Sequence, residues 1–286
     1  MDRTIGFVGL GLIGGSMAVD LRARGYVTRV LGTDKNPLHA DAALRLGLID
    51  QSASLEECVK ESDIIVVSVP VSAAADIVQK VLDLFKENAF TNKIVMDVCS
   101  TKAQMADWLK YHPFRKRYVA SHPMAGTEHN GPWAAQPGLF DGRACIIADQ
   151  EESDPAAVRT VEELFQALNM RVVFMTSASH DVHTAYVSHL SHVSSFALAL
   201  TVLDKEKDEK HIFDLASGGF SSTVRLAKSN ADMWVPIFTQ NRDNLLRVVD
   251  TYIEKVKAFR EAVADYDEDR LRDLIDEANR IKKIIR

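Results

Sequence analysis

The stretch TIGFVGLGLIG at residues 4–14 joins a short apolar strand pattern to three glycines with G-x-G-x-x-G spacing, and a helix pattern follows. Gly9 allows a tight turn, Gly11 allows a pyrophosphate to approach the backbone, and Gly14 allows the helix to pack closely on the strand. The phosphates would lie at the helix N-terminus, where free N–H groups and the helix dipole favour an anion. The stretch therefore predicts a dinucleotide-binding site.

An acidic residue stands where such a site has its ribose ligand. Asp34 ends the second predicted strand, and its carboxylate would accept from the 2′-hydroxyl of NAD and repel the 2′-phosphate of NADP. Lys35 and Arg29 leave NADP open as an alternative, and Asp34 could also be a turn residue before the following Asn-Pro pair. NAD is the expected cofactor. The residues expected to hold it are Gly9, Gly11, Leu12, Ile13, Gly14 and Asp34.

Strand and helix patterns alternate along the first part of the chain, which predicts an α/β fold with a Rossmann-type, doubly wound parallel sheet. Strand patterns end at Met175, and helical periodicity dominates from there on. We therefore place a domain boundary near Thr176, between an NAD-binding domain (1–176) and a helical domain (177–286). The predicted strands are residues 4–8, 27–33, 64–69, 94–98, 118–120, 145–148 and 171–175. The predicted helices of the second domain are residues 181–203, 211–228, 233–263 and 267–285.

The first helix of the second domain is apolar around much of its circumference, with Tyr186, Val193 and Leu200 on different turns. A helix of this kind is buried inside a bundle or against a second subunit. Residues 182–203 also carry three histidines and several serines, which makes them a poor membrane span.

Composition excludes several classes of protein. The net charge of −6 and the pI near 5.9 argue against non-specific nucleic-acid binding. The three cysteines, Cys58, Cys99 and Cys145, are odd in number and far apart, which fits reduced thiols in a cytosol. The N-terminus leads straight into a strand without a cleavable signal pattern. We expect a cytoplasmic protein that acts on a small molecule, without nucleic-acid or membrane partners.

A single histidine stands in the stretch SHPMAGTE at residues 121–128, which predicts a loop bounded by proline and glycine after a short strand. Loops at the carboxyl ends of strands are where such sheets bind ligands. His122 could accept a proton at neutral pH while a hydride leaves the adjacent carbon. The alternative is a loop histidine whose ring is satisfied by a backbone carbonyl.

Two further residues each allow a structural and a functional interpretation. Ser100 stands between a predicted strand and a predicted helix, where it could be an N-cap, a substrate contact or both. Arg225 follows a Gly-Gly pair and a Ser/Thr run. It is either a surface arginine or a fork that binds a carboxylate through two hydrogen bonds.

His189 and His192 are three residues apart on the long predicted helix, with Ser188 and His180 nearby. Such spacing can hold a metal, but the glutamate or cysteine partners of known motifs are missing, so we expect no metal site. We expect one histidine of the pair to face an active-site cleft and the other to pack in the bundle.

Five motifs occur together in this chain and in a fixed order. They are GLGLIGGS (9–16), DVCSTK (97–102), SHPMAGTE (121–128), SHLSH (188–192), and SGGF (217–220) followed by Arg225. Together they resemble the prephenate/arogenate dehydrogenase family of tyrosine biosynthesis, and the resemblance covers residues 4 to 286. The third and fourth motifs in combination are specific to that family, whereas the glycine motif is not.

The resemblance implies a nucleotide-binding domain joined to a helical dimerisation domain, and hence a homodimer. It also implies an NAD-dependent oxidative decarboxylation of prephenate to 4-hydroxyphenylpyruvate, or the corresponding reaction of arogenate. His122 would then accept the C4-hydroxyl proton, and Ser100 would orient that hydroxyl. Arg225 would bind a substrate carboxylate. The other residues implied in substrate binding are His192 and Ser188 in the pocket, and Thr127 and Glu128 at its entrance.

Two other functions remain open on the sequence alone. A β-hydroxyacid or 6-phosphogluconate-type dehydrogenase also joins a glycine motif to a helical domain, but it uses a helix lysine with an asparagine four residues on. Here Asn230 follows Lys228 by only two residues. The other alternative is a nicotinamide-binding sensor without turnover, against which the combination of His122 and Arg225 argues.

Overall fold

The computed structural model describes residues 2–207 and 211–284 of the chain. The chain folds into two compact units, residues 1–241 and residues 242–286. The whole sheet and the helices as far as residue 240 belong to the first unit, and two further helices form the second.

The first unit extends beyond the predicted boundary near Thr176. The carboxylate of Asp181, just after that boundary, accepts backbone N–H bonds from Lys102 and Ala103, both at 2.9 Å. These hydrogen bonds join the first helix of the predicted second domain to residues of the predicted first domain. The assignment of separate roles to residues 1–176 and 177–286 stays a prediction.

Eight strands form a single sheet in the first unit. They are β1 (Thr4–Val8), β2 (Arg29–Thr33), β3 (Gln51–Ser52), β4 (Ile64–Val67), β5 (Ile94–Asp97), β6 (Tyr118–Pro123), β7 (Ala144–Ala148) and β8 (Arg171–Met175). Their order across the sheet is β3-β2-β1-β4-β5-β6-β7-β8. The chain proceeds outward from β1 in both directions, which is the predicted doubly wound arrangement.

One pair of strands departs from the predicted parallel sheet. β6 and β7 are antiparallel, with His122 opposite Ile146, whereas the other neighbouring pairs are parallel. A parallel pair needs a crossover connection, which is usually a helix. The connection from β6 to β7 contains only the short 3₁₀ turn Pro132–Ala134, so the chain returns in the opposite direction.

Helices cover both faces of the sheet, and an apolar layer lies on each side. Ile64 and Val66 of β4 belong to one buried cluster, and Ile65 and Val67 belong to the other, as the alternation of side chains along a strand requires. This explains why β4 is a continuous apolar run. The helices up to β8 are α1 (Leu12–Ala23), α2 (Pro37–Arg45), α3 (Leu55–Glu61), α4 (Val71–Glu87), α5 (Ala103–Leu109) and α6 (Pro155–Ala167).

The region after β8 is helical, as predicted, but it is more broken than its periodicity suggested. The predicted helix 211–228 is divided into short pieces, and the extended backbone at Ser217 separates the 3₁₀ turn Phe213–Leu215 from the helical residues Gly218–Thr223. The predicted helix 233–263 is interrupted at Asn241, and residue 285 lies outside the described residues. The helices are α7 (Ser177–Thr184), a π-helical segment (Ala185–His189), α8 (Leu190–Glu206), α9 (Gly218–Thr223), α10 (Ala231–Gln240), α11 (Arg242–Ala264) and α12 (Glu268–Asn279).

Most residues of the continuous helix Ser177–Glu206 are exposed or only partly buried in the single chain. Tyr186 is 53% exposed and Leu200 is 62% exposed, so the helix is not enclosed in a bundle of its own chain. Among the described residues it is the one helix whose length and composition would allow it to cross a membrane. Its most apolar 18 residues have a mean hydropathy of 1.3, and 11% of them are buried. One such helix is weak evidence for a membrane span, and an uncovered apolar face also suits a subunit interface.

Candidate functional site

In the turn between β1 and α1, two glycines leave no room for a side chain and a third glycine does. Gly9 has a φ of +96°, where glycine is favoured, and a Cβ there would lie 2.5 Å from the carbonyl oxygen of Ser68. A Cβ on Gly14 would overlap the Ser68 hydroxyl, whereas a Cβ on Gly11 would meet none of the described atoms within 4 Å. Space therefore remains open beside Gly11 at the N-terminus of α1, which begins at Leu12, and a helix N-terminus of this kind can bind the pyrophosphate of a dinucleotide.

Asp34 lies directly after β2 and is held by backbone donors. Its Oδ2 accepts from the N–H of Leu10 at 2.8 Å, and its Oδ1 accepts from the N–H of Asn36 at 2.8 Å. Nδ1 of His39 lies 3.5 Å from Oδ1. The side chain therefore forms a local turn and also contacts the glycine loop, and a carboxylate has further acceptor positions for ribose hydroxyls.

His122 lies on β6 and not in a loop, so the predicted loop around it was wrong at this position. The backbone from Ala120 to Pro123 pairs with β7, which extends the strand beyond the predicted end at residue 120. The side chain is 9% exposed. Its Nδ1 lies 2.8 Å from Nε2 of His180, and Nδ1 of His180 lies 2.7 Å from Oδ1 of Asp181.

Ser100 lies in the turn between β5 and α5 and is partly exposed, but it is not the N-cap that the sequence allowed. The N-cap position of α5 is occupied by Lys102, whose own side chain makes no capping hydrogen bond. Asp181 accepts from the first N–H groups of the helix instead. A carboxylate at a helix N-terminus is favoured by the helix dipole, which explains why Asp181 takes this role.

A buried ion pair lies beneath the histidines. The ammonium group of Lys102 contacts the carboxylate of Asp97, and both side chains are fully buried. Asp97 also accepts from the hydroxyl of Tyr118 at 2.7 Å, from the N–H of Cys99 at 2.9 Å and from the N–H of Ser121 at 3.2 Å. A buried charge is tolerated only with partners of this kind.

The environment of His122 keeps its ring neutral. Burial lowers the pKa of His122 well below 6.5, and His180, Lys102 and His189 lower this pKa further. Burial also lowers the pKa of His180, although the hydrogen bond to Asp181 opposes that change. A neutral imidazole on the end of a sheet strand can accept a proton from a bound hydroxyl at physiological pH.

Arg225 and Glu128 come together although they are distant in the sequence. Nη1 of Arg225 lies 3.2 Å from Oε2 of Glu128, and the side chains are 52% and 25% exposed. Arg225 begins the 3₁₀ turn Arg225–Lys228, and Thr127 accepts from the N–H of His129 at 3.2 Å. The guanidinium is thus a partly exposed cation that is paired with a single carboxylate oxygen.

The two histidines of the long helix have different environments. His189 is 1% exposed, and burial lowers its pKa to about 4. His192 is partly exposed and stacks on Trp234, with ring centroids 3.4 Å apart. Its Nδ1 lies 3.0 Å from the carbonyl oxygen of Ser188. Burial lowers the pKa of His192, and the charge of Arg225 lowers it further, so these two residues belong to one electrostatic environment.

Three residues of this site were not predicted as its members: Asp97, Lys102 and Asp181. His180 was noted only as a neighbour of the histidine pair. Separation along the chain hides such partners, since His122 and His180 are 58 residues apart. One available signal was the acidic residue directly after His180, because a carboxylate often orients a histidine ring by a hydrogen bond to Nδ1.

The fold and the site together define a class of protein, a dinucleotide-dependent oxidoreductase. An open glycine turn with an acid after β2 suits a nicotinamide dinucleotide, and a buried neutral histidine suits proton transfer. By contrast, Asn230 caps α10 by accepting from the N–H of Asp232 at 2.8 Å, and Lys228 ends a 3₁₀ turn. That arrangement lacks the helical lysine–asparagine pair of β-hydroxyacid dehydrogenases.

Comparison with known proteins identifies the family. Residues 17–174 match the family model "Prephenate dehydrogenase, nucleotide-binding domain", and residues 176–277 match "Prephenate dehydrogenase, dimerization domain". The prephenate dehydrogenase of Bacillus subtilis is 31% identical over 273 residues, which cover 95% of this chain and 73% of that protein. The chain belongs to the prephenate dehydrogenase family.

Solved structures agree with this assignment. A prephenate dehydrogenase from A. aeolicus, in complex with hydroxyphenyl propionate and NAD⁺, has a TM-score of 0.89 and 28% identity, with 100% of this chain and 99% of that chain covered. The arogenate dehydrogenase of Synechocystis has a TM-score of 0.78 and 27% identity, with 98% and 99% covered. This chain is therefore an oxidoreductase with NAD as its cofactor.

Proposed function

We propose that this protein is a prephenate dehydrogenase, which converts prephenate to 4-hydroxyphenylpyruvate and CO₂ with reduction of NAD⁺. The observation that carries the proposal is His122, a buried neutral imidazole at the end of β6 in a chain of this family. Prephenate is a cyclohexadienol with a hydroxyl at C4 and a carboxylate at C1. Its oxidation needs a base for the hydroxyl proton and a hydride acceptor near C4.

Bound NAD⁺ supplies the hydride acceptor. His122 accepts the proton of the C4 hydroxyl as the hydride leaves C4, and the ring carboxylate departs as CO₂ as the ring becomes aromatic. The phenol oxygen of the product takes a proton back, so the base is regenerated and no net proton is released. Ser100, in the turn after β5, orients the C4 hydroxyl.

Arg225 binds a carboxylate of the substrate dianion. Its guanidinium is half-exposed and is paired only with Glu128 among the described ion pairs, so a substrate carboxylate can replace that partner. Thr127 and Glu128 form the entrance, and Ser188 and His192 line the pocket. Gly9, Gly11, Leu12, Ile13 and Gly14 hold the pyrophosphate of the cofactor, and Asp34 holds its ribose.

Arogenate is the second candidate substrate. It carries an amine where prephenate carries a side-chain ketone, and the similarity to the Synechocystis arogenate dehydrogenase favours testing it. Assays of the purified protein with NAD⁺ or NADP⁺ should follow the absorbance of the reduced cofactor. Prephenate, arogenate and a β-hydroxyacid are the substrates to compare. We expect turnover of prephenate with NAD⁺ and equal amounts of 4-hydroxyphenylpyruvate and CO₂. If neither prephenate nor arogenate is turned over, the proposal is wrong.

We also propose a cytoplasmic homodimer formed through the helical region. The match to a dimerization-domain model and the uncovered apolar residues of helix Ser177–Glu206, Tyr186 and Leu200 among them, support the dimer. The three cysteines are free and buried, which suits a reducing compartment. Light scattering of the purified protein at micromolar concentration would test the dimer, and a monomer would contradict it.

A further inference from the structure

Three side chains form a buried hydrogen-bonded series that ends at the proposed base. Oδ1 of Asp181 contacts Nδ1 of His180 at 2.7 Å, and Nε2 of His180 contacts Nδ1 of His122 at 2.8 Å. His180 is 0% exposed and Asp181 is 2% exposed, so water does not compete for these contacts. Each ring nitrogen in the series must therefore donate or accept according to its neighbour.

The direction of the series follows from its acidic end. Burial opposes ionisation of Asp181, but hydrogen bonds from His180 and from the N–H groups of Ala103 and Lys102 keep its pKa below the usual value. A carboxylate only accepts, so Nδ1 of His180 carries a hydrogen and donates to it. Nε2 of the neutral His180 ring then has a lone pair, and Nδ1 of His122 must donate to that lone pair. The remaining nitrogen of His122, Nε2, is left as an acceptor.

We propose that His180 is a positioning residue, which together with Asp181 holds His122 in the Nδ1–H tautomer and so leaves Nε2 of His122 free to accept the substrate's proton. This inference rests on the proposed function, because it assigns a partner to the proposed base. The logic is that of a catalytic triad, in which a carboxylate sets the tautomer of the histidine base. Here a second histidine stands between the carboxylate and the base.

The hydrogen bond to His180 also changes in strength when His122 is protonated. When Nε2 of His122 takes a proton, the Nδ1–H bond to His180 becomes charge-assisted and therefore stronger. The other ionisable groups that influence this pair are His189 and the Lys102–Asp97 ion pair. The ammonium of Lys102 lowers the pKa of His122 and so opposes a cation there, although Asp97 pairs with that ammonium.

The most direct test reads the tautomer itself. Side-chain ¹⁵N–¹H correlation spectra of the full-length protein near neutral pH report which ring nitrogen carries the hydrogen. The His122 signals are assigned by their loss in His122→Asn. We expect a protonated Nδ1 and an unprotonated Nε2, and a protonated Nε2 on His122 would overturn the proposal. This measurement needs no turnover, so its outcome is separate from that of the substrate assays.

Kinetics of two substitutions supply the second test. His180→Leu removes the acceptor and should lower kcat about a hundredfold, with KM for substrate and NAD⁺ within about threefold. His180→Gln keeps an oxygen that can accept from His122 and should retain a kcat clearly above that of the leucine variant. Equal kcat values for the two variants would overturn the proposal, as would normal turnover in His180→Leu.

A control on the same helix separates positioning from general damage. His183 lies one turn after His180, is exposed and contacts only Ser179 in the hydrogen bonds described. His183→Gln should leave kcat, KM and the tautomer of His122 unchanged. If His180→Leu does not fold, the tautomer measurement on the unaltered protein still decides the question.

Discussion

The buried cluster around His122 and the exposed pair of Arg225 and Glu128 are both built from charged or titratable side chains, yet they differ in burial and in the number of their contacts. Lys102 and Asp97 are fully buried and His180 is 0% exposed, and the carboxylate of Asp97 accepts from four groups. Arg225 is half-exposed and shares one contact with Glu128.

In the proposed function the two regions have different tasks: the buried cluster holds the groups for proton transfer in place, and the exposed pair admits a charged substrate. Breaking a buried ion pair leaves an uncompensated charge in a low-dielectric interior, so the cluster keeps a single geometry. A surface ion pair contributes little and is screened by water and salt, so its arginine can change partners. Proton transfer suits the first environment, and capture of a dianion suits the second.

The largest effect is expected from the proposed base. His122→Asn removes the proton acceptor and should lower kcat by about 10² to 10⁴-fold with little change in KM, because proton transfer belongs to the transition state. Steady-state assays that follow the absorbance of the reduced cofactor would measure kcat and KM. His183→Gln is the matched control, and normal turnover in His122→Asn would contradict the mechanism.

A comparably large effect, but on stability, is expected for the buried ion pair. Lys102→Met leaves the carboxylate of Asp97 without its cation and should lower the free energy of unfolding by about 3–5 kcal/mol. Denaturant unfolding measures this loss. The exposed Lys110→Met should change it by less than about 0.5 kcal/mol. A similar small change in both variants would remove the contrast between the two regions.

At the exposed pair the effect should fall on binding. Arg225→Ala should raise KM for prephenate about 10- to 100-fold, with kcat within a few-fold, because a charge-assisted hydrogen bond is lost in both ground and transition state. The exposed Arg159→Ala on α6 is the control. A fall in kcat with an unchanged KM would mean that Arg225 acts on the chemistry instead.

Acid should lower the stability of the folded protein through protonation of the buried His189. His189 has a pKa of about 4 in the folded protein against an ordinary 6.5, so the unfolded chain binds its proton first as pH falls. The part of the folding free energy that depends on a neutral His189 is therefore fully present above pH 6.5 and is lost as pH falls toward 4. His189→Gln should reduce the dependence of Tm on pH in that range, whereas the exposed His183→Gln should not. An identical dependence in both variants would contradict this assignment.

The smallest effect is expected for Glu128→Gln. The substitution removes the carboxylate that competes for Arg225, so KM for prephenate should fall about two- to fivefold. The change should disappear in the Arg225→Ala background, which a double-mutant cycle would measure. An unchanged KM would mean that the pair does not limit access of the substrate.

Much of the fold could be predicted because its signals are local. β1 and β8 have their predicted bounds, and β4 and β5 end within two residues of prediction, since a buried parallel strand is a continuous apolar run. The two-residue strand β3 has too short a run to be predicted. The breaks in the helix predicted over 211–228 were missed because apolar periodicity does not reveal the extended backbone at Ser217, which ends one short piece before the next begins at Gly218.

The sequence by itself determined the glycine turn with Asp34 and the order of the family motifs, because each depends on residue types at short spacing. Only the tertiary structure decided that His122 lies on an antiparallel strand and contacts His180, and that Arg225 meets Glu128. Such contacts join residues 58 and 97 positions apart. Their energy depends on burial and distance in the folded chain, and neither is encoded in local spacing.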